Sequence, residues 1–449
     1  MAVSENLEFN KVWSVIDSGQ FDASGYLQST SPINQRGLSK SQPPALVKMT
    51  ARLPIELLDL VAQYSSMDTQ ARLSPVSRDV YFVSVRALYA SIPDMTVSHT
   101  TKCLLTLSGK PEIACLVRSF YFFPSSFHAL RAFRTLITRA LGNMTNLHTL
   151  SLGLDTFPAS SLVQFSFRLR KLVYTHSYYE PHPVSQLLST QPTIEELTLL
   201  CPPHDISTLD RDALPALKKL SAPIWLLPKL LLSRMSRLTQ LRVIGNMAEA
   251  DQFFQLGALF KVAEPPDSLE LAIGMDATTH LMITQIVSLG LALIGLAAPF
   301  ISSLRVDIHQ GYIQQDKLQN MFAFVLPRFP NLKTLVVMSL PPPPSAHTSD
   351  SPRTRLLQAR PETGAIASLC DVLRSMSASP VDTSILFPTP QVESDQTPSQ
   401  QDPILDPLYD KACQLEILKV WYRIHPKLER VLFPGRGYIF TNEECERDD

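Results

Sequence analysis

The chain has 449 residues, with 40 lysines and arginines against 41 aspartates and glutamates and a formal net charge of −1. That balance excludes the basic footprint of a nucleic-acid-binding protein, and 66 leucines within a 45% hydrophobic composition exclude global disorder. Only 15 glycines, set against 36 prolines, argue against a nucleotide-binding fold, whose phosphate loops need permissive backbone.

Residues 1–48 are weakly patterned and read as a flexible N-terminal extension, with one short amphipathic stretch at 7–16. The first residues have no basic region followed by an apolar one, so no secretory leader is expected. The six cysteines lie far apart without a C-x-x-C pair, which reads as reduced thiols of a cytoplasmic or nuclear protein.

A compact helical domain is expected over 49–93. Pro54 suits a first helical turn and Glu56 meets the positive end of the helix dipole. Leu53, Leu57, Leu60, Val61 and Tyr64 then share one helical face, either as the unit's own core or as a docking surface. Asp68 is the expected N-cap of a second short helix that Pro75 ends. A third helix runs from Arg78 to Ser91, striped by Tyr81, Val85, Leu88 and Ile92, and Pro93 stops it. A unit of about 40 residues buries too little surface to stand alone and should pack on a neighbour or a partner.

Behind it, over 94–340, the pattern L-x-x-L-x-L recurs, in which alternate apolar residues of a short strand point inward. Copies stand at Leu147/Leu150/Leu152, Leu169/Leu172, Ile194/Leu197/Leu199, Leu217/Leu220 and Leu238/Leu241/Val243, then at Ile301/Leu304/Val306, Leu332/Leu335/Val337 and Leu415/Leu418/Val420. Weaker copies stand at Val117/Phe120/Phe122 and Leu269/Leu271. From 147 to 332 the spacing averages about 26 residues, inside the leucine-rich-repeat period. The fold class expected is therefore α/β, a three-helix unit followed by an irregular leucine-rich-repeat solenoid. Residues 281–300 carry no charge and are long enough to span a membrane, but Thr284, Gln285, Ser288, two glycines and Pro299 favour a buried return helix.

From 341 to 408 the composition turns to Pro, Ser, Gln and Asp, which reads as a largely disordered insertion with a helix near 364–375. Residues 409–449 are expected to hold the last repeat and a tail. No catalytic or phosphate-binding motif is found, His176 and His182 lack a third metal ligand at suitable offset, and neither cofactor nor metal is expected.

Leu53-Pro54-Ile55-Glu56-Leu57-Leu58 resembles the opening of the F-box family, L-P-x-E-[IL]-[LW], and Leu73-Ser74-Pro75-Val76-Ser77-Arg78 matches its L-x-x-V-[SC]-[KR] step. Tyr81-Phe82 and Val85-Arg86-Ala87-Leu88-Tyr89 complete about 40 residues similar to that motif. With the repeats behind it, the layout is similar to F-box proteins with leucine-rich repeats, of the kind abundant in fungi. The resemblance implies a non-catalytic substrate-recognition subunit of a Skp/cullin/F-box ubiquitin ligase. It also implies that Leu53, Pro54, Leu57, Leu73, Val76 and Tyr81 contact or support a Skp-type adaptor, and through it a cullin/RING scaffold. The repeats would hold a protein substrate; His148, Arg170, Glu195, Lys218, Thr239 and Lys333, with Glu416, are candidate concave residues because they vary inside each strand step. The alternative is a repeat scaffold without ligase function, its helical unit serving only as a cap.

Overall fold

A computed structural model describes residues 53–123, 131–153, 162–175, 184–277, 282–311, 313–340, 406–440 and 445–448. The expected extension 1–48, the stretch at 7–16, His176, His182, the 341–408 insertion up to residue 405 and its helix near 364–375 all lie outside them.

The described chain is mixed α/β. It opens with three helices, α1 (Ile55–Tyr64), α2 (Met67–Leu73) and α3 (Arg78–Ala90). Ser66 caps α2 by accepting from the Thr69 amide, and Ser77 caps α3 by accepting from Val80. The expected cap Asp68 instead lies inside the first turn of α2, where it pairs with Arg72 at 2.9 Å. A serine in extended backbone can reach the N3 amide, which an aspartate already within the helix cannot.

α3 leads without a loop into β1 (Ser91–Ile92), and Val85, Leu88, Tyr89 and Ile92 are buried in the same core as the rest of the molecule. Then come α4 (Val97–Gly109), α5 (Pro111–Ala114), β2 (Ser119–Phe122), α6 (Arg131–Asn143), β3 (Thr149–Leu152), β4 (Lys171–Thr175), α7 (Val184–Thr190), β5 (Glu196–Leu200) and β6 (Lys219–Pro223). Next are α8 (Leu227–Leu231), β7 (Gln240–Asn246), α9 (Ala250–Val262), β8 (Leu269–Asp276), α10 (Met282–Ala297), β9 (Ile301–Gln310), α11 (Gln315–Val325) and β10 (Thr334–Ser339). The chain closes with α12 (Lys411–Ile424), β11 (Arg430–Phe433), β12 (Arg436–Phe440) and β13 (Cys445–Asp448).

All the strands form one open sheet in sequence order, parallel from β1 to β11 and antiparallel only through β12 and β13. The register explains the leucine surplus. Phe120, Leu150, Leu172, Leu197, Leu220, Leu241, Leu271, Leu304, Leu335 and Val431 stand opposite one another, strand after strand, and all are buried. The next inward row runs from Phe122 through Leu152, Tyr174, Leu199 and Ala222 to Val243. Helices α9 to α12 pack side by side behind these rows. The alternate side chains, among them Lys171, Glu196, Lys219, Gln240 and Glu270, stay at least partly exposed, so one face of the sheet is covered and the other open. Most parallel sheets are covered on both faces and read as unbroken apolar runs; here the strands alternate because one face is wet.

One expected copy of the repeat is corrected. Leu415, Leu418 and Val420 lie on α12, not on a strand; the last parallel strand is β11, which follows the buried Leu428 in the step Leu428/Val431/Phe433. Asp410 caps α12 by accepting from the Ala412 amide at 3.1 Å, and Glu416 accepts from Gln315 on α11 at 2.7 Å, so Glu416 is no strand residue. Helix α4 was not among the expected elements; Cys103, Leu104 and Leu107 bury it against α6.

The uncharged segment is α10. Its Gly295 sits where an added Cβ would meet the Arg328 carbonyl oxygen at 2.7 Å and the Phe329 ring at 2.8 Å, so the helix is packed closely within protein. Among the described residues no helix is long and apolar enough to cross a membrane.

Candidate functional site: an apolar helix and an open sheet face

In the helical unit α1 and α2 both pack on α3. Arg86 pairs with Asp59 at 2.6 Å, and Gln70 donates to the carbonyls of Ala62 and Ser65, the last residues of α1 and its cap. Only Ala62 of α1 is buried. Leu57 is 47% exposed, Val61 53% and Val76 66%, with Leu53, Ile55, Leu60, Tyr64 and Phe82 exposed as well. The residues that could have been the unit's own core are therefore on its surface. Helix α1 is apolar on its outer side, with those side chains exposed.

Of the residues singled out for adaptor contact, Leu53, Pro54, Leu57 and Val76 are exposed on this surface. Leu73 and Tyr81 are half-buried; Tyr81 packs against the core and meets the Phe82 ring edge-on at 5.7 Å between centroids. They support the surface from below. Leu60, Val61 and Tyr64 share the face of α1 that carries Leu57, and helical periodicity from Leu53 was the signal for them; Ile55 and Phe82 are exposed as well.

The six residues proposed for the concave surface stand in one line at the leading corner of the sheet. The carbonyl of His148 accepts from the amides of Arg170 and Lys171, that of Arg170 from Glu195 and Glu196, that of Glu195 from Lys218 and Lys219, and that of Lys218 from Thr239 and Gln240. Lys333 occupies the same position three strands later, accepting from Glu429 and Arg430. The row is exposed apart from the half-buried Glu195. It is a rim, however, not the middle of the open face.

The middle is formed by residues one and three positions further on. Lys171 and Lys219 both reach Glu196, at 3.1 and 2.8 Å, and Gln240 donates to Glu270 at 3.3 Å. The Lys219 hydrogen bond, then Lys171, hold the Glu196 carboxyl below its ordinary pKa, and Glu196 in turn raises the Lys219 ammonium. On the rim Lys218 pairs with Glu195 at 3.1 Å and Lys333 with Glu429 at 3.0 Å. Further along, Arg242 on β7 and Arg305 on β9 converge on Asp307. These residues were missed because the first variable position of each repeat was chosen; strict alternation around the second leucine points to the correct ones.

No protein family matches this chain, and no curated protein is similar to it. No group of three or more His, Cys, Asp or Glu side chains among the described residues could hold a metal ion. The buried thiols are shielded: burial lifts Cys103 to about 12 and pushes Cys201 higher still. Chemically, the surfaces on display can bind: an apolar helix at one end and a polar, internally paired sheet face along the length.

Proposed function

We propose that this protein is the substrate-recognition subunit of a Skp/cullin/F-box type ubiquitin ligase, with an F-box-like helical unit and a leucine-rich-repeat solenoid. In this reading the chain itself is non-catalytic. The face of α1, with Val76 and Phe82, docks between helices of a Skp-type adaptor, and the open sheet face and its rim capture a protein substrate. The observation that carries the reading is the exposure of Leu57 and Val61 on a helix with the L-P-x-E sequence, placed directly ahead of the repeat sheet. Truncating an apolar anchor at the centre of such an interface typically costs about 2 kcal/mol or more, so single substitutions on this face should be measurable.

One observation favours the cap reading as a component: α3 shares the core of the sheet through Val85, Leu88 and Tyr89, so the unit also closes the first repeat. Capping uses the buried side of α3 and docking the exposed side of α1, and substitutions separate them. Affinity purification of Leu57→Asp/Val76→Asp beside the unaltered chain, read by mass spectrometry, tests the proposal. Loss of a Skp-type protein with unchanged thermal unfolding supports docking. Absence of such a protein from the unaltered chain rejects the ligase reading.

A further inference from the structure

Strand β8 runs between two arginines. Arg242 of β7 and Arg305 of β9 both stand in register with Ala272, the small residue between them. Two strand spacings place their backbones about 10 Å apart. Arg242 leans across β8, its Nη2 reaching Asp307 Oδ2 at 3.2 Å, and Arg305 reaches along its own strand, its Nε meeting Asp307 Oδ1 at 2.8 Å. Ala272 is buried although it lies on the open face, as expected if the arginines cover it. Gly274, in register with Asp307, forms the floor one step further on, with the His309 ring above it.

The asymmetry of this cluster is informative. The Asp307 side chain is only 10% exposed, while those of Arg242 and Arg305 are 34% and 39% exposed. Asp307 has spent both oxygens on one donor from each arginine. Nε and Nη1 of Arg242 and both Nη groups of Arg305 make no hydrogen bond to the described residues. A guanidinium has five N–H donors in a fixed plane, and two such planes held by one buried carboxylate are preorganised for a further oxyanion. Glu270 accepts from Gln240 and Asp276 from Asn246, both neutral amides, and among the described residues neither carboxylate forms an ion pair with the two arginines. Elsewhere on this face the lysines already have glutamate partners, so the arginine pair is where spare donors converge.

We propose that Arg242 and Arg305 form the anchor point of the open face for an anionic side chain, carboxylate or phosphoryl, on a partner polypeptide lying across the sheet. Asp307 is a positioning residue that aims both guanidinium groups. The proposal rests on the open face being the capture surface, but it does not require the ligase role.

The test uses the full chain with fluorescently labelled peptides at low salt: hexaglutamate, a peptide alternating phosphoserine and glycine, and hexaglutamine as the neutral control. The expected result is binding of an acidic peptide but not of hexaglutamine. The Arg242→Gln/Arg305→Gln variant should weaken it by about tenfold or more. Which acidic peptide binds more tightly distinguishes carboxylate from phosphoryl. Because that variant leaves Asp307 buried without a partner, Arg242→Gln/Arg305→Gln/Asp307→Asn is measured beside it, and circular dichroism confirms folding. Lys102→Gln/Lys261→Gln removes the same charge from helices α4 and α9 and should change binding less than about twofold. Acidic peptides that do not bind, or that bind both arginine variants as well as the unaltered chain, would overturn the proposal. So would equal binding of hexathymidylate, which would show attraction of any polyanion. Retention of a Skp-type adaptor is scored in parallel: peptide binding without the adaptor rejects the ligase role and keeps this site, and the converse rejects this site alone.

Discussion

Arg234 is buried, and its substitution shows how neighbouring repeats are tied together. Its Nη1 donates to the carbonyls of Lys229 and Leu230 at 3.2 and 3.1 Å, at the end of α8, where helical carbonyls have no intrahelical partner. Its Nε donates to Ala213 at 2.8 Å and its Nη2 to Asp210 at 2.5 Å, both in the segment ahead of β6. One side chain thus caps a helix and joins it to the preceding repeat. Arg234→Met keeps most of the volume and removes all four bonds. A hydrogen bond to a charged group contributes about 1.5–3 kcal/mol, but the four share one side chain and its desolvation cost, so they do not add. Carbonyls left buried without a donor cost about 1–3 kcal/mol each, offset in part because no charge is buried any longer, so a net loss of about 2–4 kcal/mol is expected. The strands pair in sequence order, so each packs mainly on its neighbours and the loss should appear locally. Hydrogen exchange should accelerate across residues 210–237 ahead of the other repeats, and urea unfolding should move to lower concentration. Arg237→Met, which removes one exposed bond to the Pro215 carbonyl, should stay within about 0.5 kcal/mol of the unaltered chain. A shift below about 1 kcal/mol for Arg234→Met, or exchange unchanged in that segment, would refute the reasoning.

Further expectations follow from the same packing and charges. Gly295→Ala forces a methyl group against the Arg328 carbonyl and the Phe329 ring and should cost about 1–3 kcal/mol in chemical denaturation, as overpacking does; a neutral effect would mean that α10 and the following turn are not in contact as described. Glu196 has a lowered pKa, so its contribution is present above its unfolded value near 4.5 and lost as pH falls through the lower folded value; Glu196→Gln should differ from the unaltered chain in thermal unfolding at neutral pH and converge with it in acid. Convergence at neutral pH with divergence in acid would reverse the sign and reject the pairing with Lys219 and Lys171. Cys103 and Cys201 should resist a thiol reagent in the folded protein and react once it is unfolded; rapid labelling of either in native buffer would contradict their burial.

The repeat sheet was legible in the sequence because each strand is short and buried on one face only. Leu150, Leu172, Leu197 and their counterparts therefore fall at fixed offsets from the leucines before them. The same offsets misled at Leu415/Leu418/Val420, where residues three apart suit a helix face as well as a strand step. The better signal was Asp410, a capping residue ahead of a long pattern that ends before Pro426. Helix α4 was missed because Val97-Ser98-His99-Thr100-Thr101 has poor intrinsic helix propensity, and burial of Cys103, Leu104 and Leu107 overrides it. On the open face the rim residues were found and the middle was not, because Arg242 of β7 meets Asp307 of β9 across β8, an approach that no spacing within one repeat contains. For the helical unit, the sequence left open whether Leu57 and Val61 face inward or outward. Their exposure depends on how α1 leans on α3, which periodicity does not specify.

The most direct test of the central claim is hydrogen exchange of the full chain with and without a purified Skp-type adaptor from the source organism. Docking through the helical unit predicts slowed exchange in α1 and around Val76, with the repeat sheet unchanged. Unaltered exchange in α1 at adaptor concentrations that saturate an authentic F-box protein would contradict it.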